Sequence, residues 1–312
     1  MDSYHIPVLL KETVAALNLQ PGKIIVDGTL GGGGHSIEIL RSCPDIKLYS
    51  FDQDLDAIKH SQYLKDEYPE QITIIHDNFV NMRTRLALEK VKRVDGIMLD
   101  LGVSSFQIDE ATKGFSYMRE GKLDMRMDQS HKVDAAMVVN SYPEKELIRI
   151  FREYGEERES FRVARAICRE REKKALETTL ELSGIIDKAV KSHRKIKARS
   201  RIFQALRIEV NSELEYLKTT LQDAVNLLNP GGRIVILTYN SLEDKIVKDM
   251  FNYEAKDCIC PKNFPICICN KELRLIVFKS ETAGDSDKDN VRSRSARLRY
   301  AERTAYQEEE DE

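Results

Sequence analysis

Four short apolar runs, each closing on an aspartate, constrain the fold of this 312-residue chain more than any other feature. They are KIIVD (23–27), KLYSFD (47–52), ITIIHD (72–77) and VDGIMLD (94–100). Helix-like segments lie between them, near 35–42, 54–66 and 80–89. Strand and helix alternating at this spacing predict βαβ units and a parallel sheet. Ligands of such sheets bind beyond the carboxyl ends of the strands. The four aspartates stand at those ends, where each can serve chemistry or cap the following helix.

After LDLGVSSFQID the alternation stops, and residues 115–132 read as loop. From Pro143 to Lys195 the pattern is helical and highly charged: Leu147, Phe151 and Tyr154 recur at helical spacing, and TTLE (178–181) is a capping box. A stripe of Ile202, Leu206, Val210, Leu214, Leu217, Leu221 and Val225 predicts one sustained helix, stopped by NPGG (229–232). Strand patterns then resume at RIVILTY (233–239) and ELRLIVFK (272–279) around a helix opened by SLED, with Ser241 as cap and Asp244 at its third position. The expected fold is α/β: a doubly wound, mostly parallel, Rossmann-like sheet over 1–108 and 212–279, with an all-helical insertion at 109–211. Residues 280–312 are expected to be a polar, loosely ordered tail, basic and then acidic.

The loop after the first run, VDGTLGGGGHS (26–36), holds four consecutive glycines. A dinucleotide fingerprint begun at Gly31 would put its third glycine on Ser36, and a P-loop would need a lysine that is absent. What remains is Asp27 at one strand end, a bare loop, and Asp52 at the next strand end, where a carboxylate suits two ribose hydroxyls. Asp52 is equally suited to helix capping. HDNF (76–79) adds Phe79, whose ring can stack on adenine or simply pack in the core. A nucleoside held by strand-end carboxylates without a phosphate cradle fits S-adenosylmethionine, and the turn of LNPGGRIVILTY feeding a late strand resembles the class I methyltransferase sheet.

Charge is segregated. The net value is −3, but QEEEDE (307–312) carries five acids, whereas Lys188–Arg207 holds eight Lys or Arg and no acid, and VRSRSARLR (291–299) holds four arginines. Such patches suit nucleic-acid phosphates, or a solvated helix face. No apolar run reaches 18 residues and the N-terminus has no signal-peptide pattern, so a cytoplasmic protein without a membrane partner is expected.

With these motifs assembled, the chain resembles the bacterial small-subunit ribosomal RNA cytosine-N4 methyltransferase family. The resemblance runs nearly end to end, through HIPVLLKE (5–12), DGTLGGGGHS (27–36), FDQD (51–54), LDLGVSSFQID (99–109), GFSYMREGKLDMRMD (114–128), YGEE (154–157), FQALRIEVNSEL (203–214), SLEDKIVK (241–248) and RSRSARLR (292–299). It implies methylation of a cytidine N4 in 16S rRNA near the decoding centre, with the small ribosomal subunit as partner and no obligate protein partner. It also implies cofactor contacts by Gly33, Gly34, His35, Asp52, Phe79, Asp100 and Gln107. Two positions depart from the family pattern: Phe106 replaces a proline, and Asn240 replaces a histidine.

The loop after the fourth run is DLGVSS, in place of the Asp/Asn-Pro-Pro-aromatic loop of many amino methyltransferases. Asp100 is therefore the candidate to polarise the substrate amine, together with Asn240 and Tyr239 from the adjacent strand end; its alternative role is cofactor binding alone. GKLDMRMD and the basic run 188–207 are candidates for RNA phosphates. Cys258, Cys260, Cys267 and Cys269, in CICPKNFPICIC, could enclose a structural zinc or form a reduced pair of turns; their C-x-C spacing is tighter than the usual C-x2-4-C.

Overall fold

The computed structural model describes residues 7–261, 266–283 and 295–305. They divide into two compact units, residues 1–102 with 216–312 and residues 103–215.

The first unit is built on one eight-stranded sheet. Its strands are β1 (Ile24–Asp27), β2 (Lys47–Asp52), β3 (Ile72–His76), β4 (Val94–Asp100), β5 (Leu228–Thr238), β6 (Leu275–Val277), β7 (Glu281–Thr282) and β8 (Arg297–Arg303). The order is β3-β2-β1-β4-β5-β8-β6, with β7 pairing on β8. The pairs from β3 to β5 are parallel, and β8 runs antiparallel between β5 and β6. The central runs lack polar alternation because both faces are covered. On one face Val26, Phe51, Ile97, Leu99, Ile234 and Ile236 pack against Leu217, Leu221 and Val225 of the helix Glu213–Leu227. On the other, Ile25, Leu48, Met98, Val235 and Leu237 meet Leu17 of the helix Leu10–Leu17 and Ile39 and Leu40 of the helix Gly34–Ser42.

The expected loose tail is corrected by β8. Its backbone pairs with β5 over six positions, Leu298 and Ala301 are buried, and Arg299 forms a two-point pair with Asp244 at 2.6 and 3.1 Å. Alternating arginines gave the segment a solvated character that the Asp244 carboxylate cancels. The acidic residues 308–312 and Arg292 and Arg294 lie outside the described residues. The strand expected over 272–279 is shorter, Leu275–Val277.

In the second unit the helices Ala135–Ser141, Glu144–Glu153, Ser160–Arg171, Thr179–Ala189 and Lys195–Asn211 enclose a core of Leu147, Ile150, Phe151, Ile167, Ile186 and Leu206. Thr178 caps its helix in the expected box with Glu181. The irregular segment 115–132 is anchored to this core by Leu123 and Met125, and the Asn211 side chain bonds the backbone of Met125 and Met127 at 2.8 and 2.9 Å. The single long helix expected from Ile202 to Val225 is corrected to two, because Ser212 adopts a left-handed φ of 52° between them. The apolar stripe crosses this break without losing its spacing, which is why the break does not register in the pattern.

Candidate active site

The sheet reverses its winding between β1 and β4, and the glycine loop leaves β1 at that point. The loop is pinned from three strand ends. Asp27 accepts the Thr29 amide (3.0 Å) and the Ser36 hydroxyl (2.7 Å), which in turn lies 2.9 Å from Ser50 Oγ. Asp52 accepts the Gly31 amide on one oxygen and the Asp54 amide on the other, both at 2.8 Å. The Asp100 amide donates to Thr29 Oγ1 at 2.7 Å.

Two of the glycines have separate reasons to be there. Gly33 has φ +79° and caps the helix Gly34–Ser42. At Gly34 a Cβ would lie 2.3 Å from Pro7 Cγ, so this position serves close packing of the N-terminal segment.

The three aspartates occupy different environments. Asp27 is fully buried, and burial is the main reason its carboxyl is raised to about 6, partly offset by the Ser36 and Thr29 hydrogen bonds. Its carboxylate lies beneath the loop and shapes it. Asp52 stays partly exposed at the end of β2. Asp100 is also partly exposed at the end of β4; its Oδ1 accepts the Tyr239 hydroxyl at 2.7 Å, and its Oδ2 lies 3.6 Å from His35 Nδ1. Burial lowers the pKa of His35, which keeps the ring neutral at physiological pH, so this contact is not an ion pair.

Tyr239 reaches Asp100 because the start of the next helix fixes its backbone. Glu243, nearly fully buried, accepts the Tyr239 amide at 2.9 Å and the Asn240 amide at 3.3 Å. Asn240 is the N-cap of the helix Ser241–Glu254, and its side-chain oxygen accepts from Leu242 and Glu243 at 3.0 Å each. Ser241 is therefore not the cap, and Asp244 lies one position beyond the third helical residue, paired with Arg299. The Asn240 side-chain oxygen is thereby committed to the helix start. Tyr239 is the β5-end group that touches Asp100.

Phe79 opens a 3-10 turn after β3 and is partly buried against the sheet core. Asp77, before it, is engaged by Arg85, Asn81 and the Asn78 amide, contacts that hold it below its ordinary pKa. Gln107 belongs to the second unit, where it is buried and its Oε1 accepts the Ser104 amide at 3.1 Å. Sequence reasoning missed Thr29, Ser36 and Ser50; hydroxyl residues beside the glycines are a signal for Thr29 and Ser36, and a serine inside the apolar run KLYSFD is one for Ser50.

The expected phosphate contacts narrow. Arg126 is clamped by Asp124 through two 2.8 Å bonds. In the basic run, Arg194, Arg199, Arg201 and Arg207 pair with Glu159, Asp187, Glu157 and Glu213, acids supplied by neighbouring segments of the same unit. Lys188, Lys191 and Lys197 remain exposed.

Five parallel strands extended by an antiparallel strand inserted before the edge, with partly exposed carboxylates around a glycine loop at the winding reversal, define a Rossmann-like S-adenosylmethionine-dependent methyltransferase. The profile of the MraW methylase family matches residues 2–304, and the chain belongs to that family. It is 48% identical over 311 residues to Ribosomal RNA small subunit methyltransferase H of Carboxydothermus hydrogenoformans, covering 98% of this chain and 100% of the relative. Proteins of the same name from Finegoldia magna and Clostridium botulinum are 45% and 48% identical, covering 97% and 96% of this chain and 99% and 98% of theirs. No helix among the described residues is long and apolar enough to cross a membrane.

Proposed function

We propose that this methyltransferase modifies the exocyclic N4 of a cytidine in 16S rRNA near the decoding centre. It acts in the cytoplasm on the small ribosomal subunit, without an obligate protein partner. The names of its full-length relatives support the RNA substrate. The observation that carries the choice of an amine is the partly exposed Asp100 carboxylate, oriented by Tyr239 and set beside the glycine loop.

Bound S-adenosylmethionine supplies an electrophilic methyl group on a sulfonium. Asp52 and the loop amides are the chain's groups for the ribose and the amino-acid portion, and Phe79 is its group for the adenine. Cytosine N4 is a weak nucleophile because its lone pair is conjugated with the ring. A carboxylate accepting one N4–H holds the amine in a fixed orientation and favours release of its lone pair. Asp100 has that role. The Tyr239 hydroxyl occupies one site on Oδ1 and so limits the directions from which the amine can approach. The amine must lose a proton after transfer, and Asp100 is the nearest anionic acceptor on this strand end. In the second unit, Lys188, Lys191 and Lys197 are the groups for RNA phosphates, and affinity for RNA should fall with salt accordingly.

The test is incubation of the protein with labelled cofactor and small subunits lacking the modification, followed by nucleoside mass analysis. N4-methylcytidine is the expected product, and its absence refutes the reading. Asp100→Asn should lower turnover more than cofactor affinity. Weaker cofactor binding with unchanged turnover would reduce Asp100 to a cofactor ligand.

A further inference from the structure

The segment joining the helix Ser241–Glu254 to β6 takes no part in the site described above. Its base is closed by Glu254, whose carbonyl accepts the Arg274 amide at 2.8 Å and whose carboxylate accepts Lys271 Nζ at 3.0 Å. Beyond that base the described part of the segment buries almost nothing. Ile259, Ile266 and Ile268 are 45%, 74% and 67% exposed. The described part of this lobe, with its apolar side chains in water, has no core of its own to hold a shape.

It nevertheless has a specific shape. Cys258, Cys260, Cys267 and Cys269 bring their sulfurs within 4.8 Å of one another. Four of the separations are 3.5 Å (Cys258–Cys267), 3.5 Å (Cys267–Cys269), 3.8 Å (Cys258–Cys269) and 4.0 Å (Cys260–Cys267). A disulfide requires about 2.0 Å, so none of these pairs is bonded. A tetrahedron with zinc–sulfur bonds of about 2.3 Å has edges of about 3.8 Å, and the four distances fall around that value. The backbone is arranged to match. The Ile259 amide donates to Cys269 Sγ and the Ile268 amide to Cys260 Sγ, both at 3.3 Å, so the middle residue of each C-x-C pair supports a sulfur of the other pair. The Cys260 amide donates to Cys258 Sγ at 3.4 Å. Amides aimed at sulfur stabilise thiolates and orient metal ligands.

We infer that these four cysteines bind one zinc ion as a closed, structural tetrathiolate site that holds the lobe between the last long helix and β6. Binding deprotonates the four thiols and releases their protons to solvent, which leaves a site with a net charge of −2. Four sulfurs complete the tetrahedron and leave no open position for substrate or water. The tight C-x-C spacing is accommodated because the two pairs cross-brace each other through their middle amides.

The test uses the full chain purified under reducing conditions without chelator. Elemental analysis should find one zinc per chain, and the double substitution Cys258→Ser with Cys269→Ser should remove it. The double substitution Cys43→Ser with Cys168→Ser, outside the cluster, should keep it. Replacement of zinc by cobalt in the unsubstituted protein should give the intense visible bands of a tetrahedral cobalt–thiolate centre, a readout that does not depend on the variants folding. Zinc no higher than in the Cys258/Cys269 variant, cobalt bands of an octahedral oxygen-ligated ion, or a mass showing disulfides among the four cysteines would each overturn the inference.

Discussion

Asp27→Asn isolates the cost of burying a carboxylate under the glycine loop. Burial raises this carboxyl from its ordinary 3.8 to about 6. The folded protein therefore holds the proton more tightly than the unfolded chain does. The associated stability is fully present below pH 3.8 and is lost as the pH rises through about 6. At neutral pH the ionised group costs about 3 kcal/mol relative to its protonated form, and roughly 2 kcal/mol of that accrues between about pH 4.5 and 7.5. Asparagine keeps an oxygen for the Thr29 amide, and its amide nitrogen can donate to Ser36 Oγ, so the loop retains both anchors without a titrating group. Urea unfolding of both proteins at the two pH values supplies the comparison. His35 pulls each absolute curve the other way, because its depressed pKa makes stability fall as acid protonates it. The informative quantity is thus the difference between the proteins. The wild type should lose roughly 2 kcal/mol relative to Asp27→Asn on going from the acidic to the neutral condition. Parallel pH profiles would refute the argument, as would a carboxyl carbon-13 titration of Asp27 with its midpoint near 3.8.

Three further outcomes follow from particular contacts. Tyr239→Phe removes a hydrogen bond to a carboxylate, worth about 1.5–3 kcal/mol; kcat/KM should fall roughly 10- to 100-fold with little change in unfolding midpoint, and unchanged kinetics would separate Tyr239 from the Asp100 site. Gly34→Ala places a methyl group 2.3 Å from Pro7 Cγ and should destabilise the protein by about 1–3 kcal/mol in urea unfolding. Arg299→Ala strips the Asp244 carboxylate of its two-point partner and should cost about 1–3 kcal/mol in the same assay, while ending the chain at Thr282 removes β8, uncovers the edge of β5, and should yield aggregated protein by size-exclusion chromatography.

The parallel half of the sheet is legible in the sequence because its strands are covered on both faces. Such strands carry uninterrupted apolar runs, and each of the runs before β5 stops at or beside an aspartate where the chain leaves the core. β8 obeys the opposite rule. Arg297 and Arg299 share Asp244, and Glu302 pairs with Arg233 at 2.9 Å, so charged side chains remain in the sheet through partners distant in sequence. No local pattern carries that information. The basic run of the second unit shows the same effect: the segment has no acids of its own, yet its four arginines are all neutralised from nearby segments. Absence of acids within a segment describes the chain, whereas exposure of a cation depends on what packs beside it.

The site itself was legible as a set of residue types but not as a division of labour. Asp27, Asp52 and Asp100 occupy equivalent places at the ends of three strands, and sequence offers no reason to separate them. Burial does. Asp27 has no solvent-facing oxygen and shapes the loop from below; Asp52 ties the loop to β2 while staying partly exposed; Asp100 gives its backbone amide to Thr29 of the loop and turns its carboxylate toward Tyr239 and His35. Asn240 shows the converse ambiguity, because an amide oxygen suits both a helix cap and a reacting amine. Here Leu242 and Glu243 claim that oxygen for the helix, and the same capping box fixes the backbone of Tyr239. The turn into the last long helix is thereby both a fold element and the support that aims a hydroxyl at Asp100. A substitution at Glu243 should therefore reach catalysis through Tyr239, although Glu243 itself is buried away from the site.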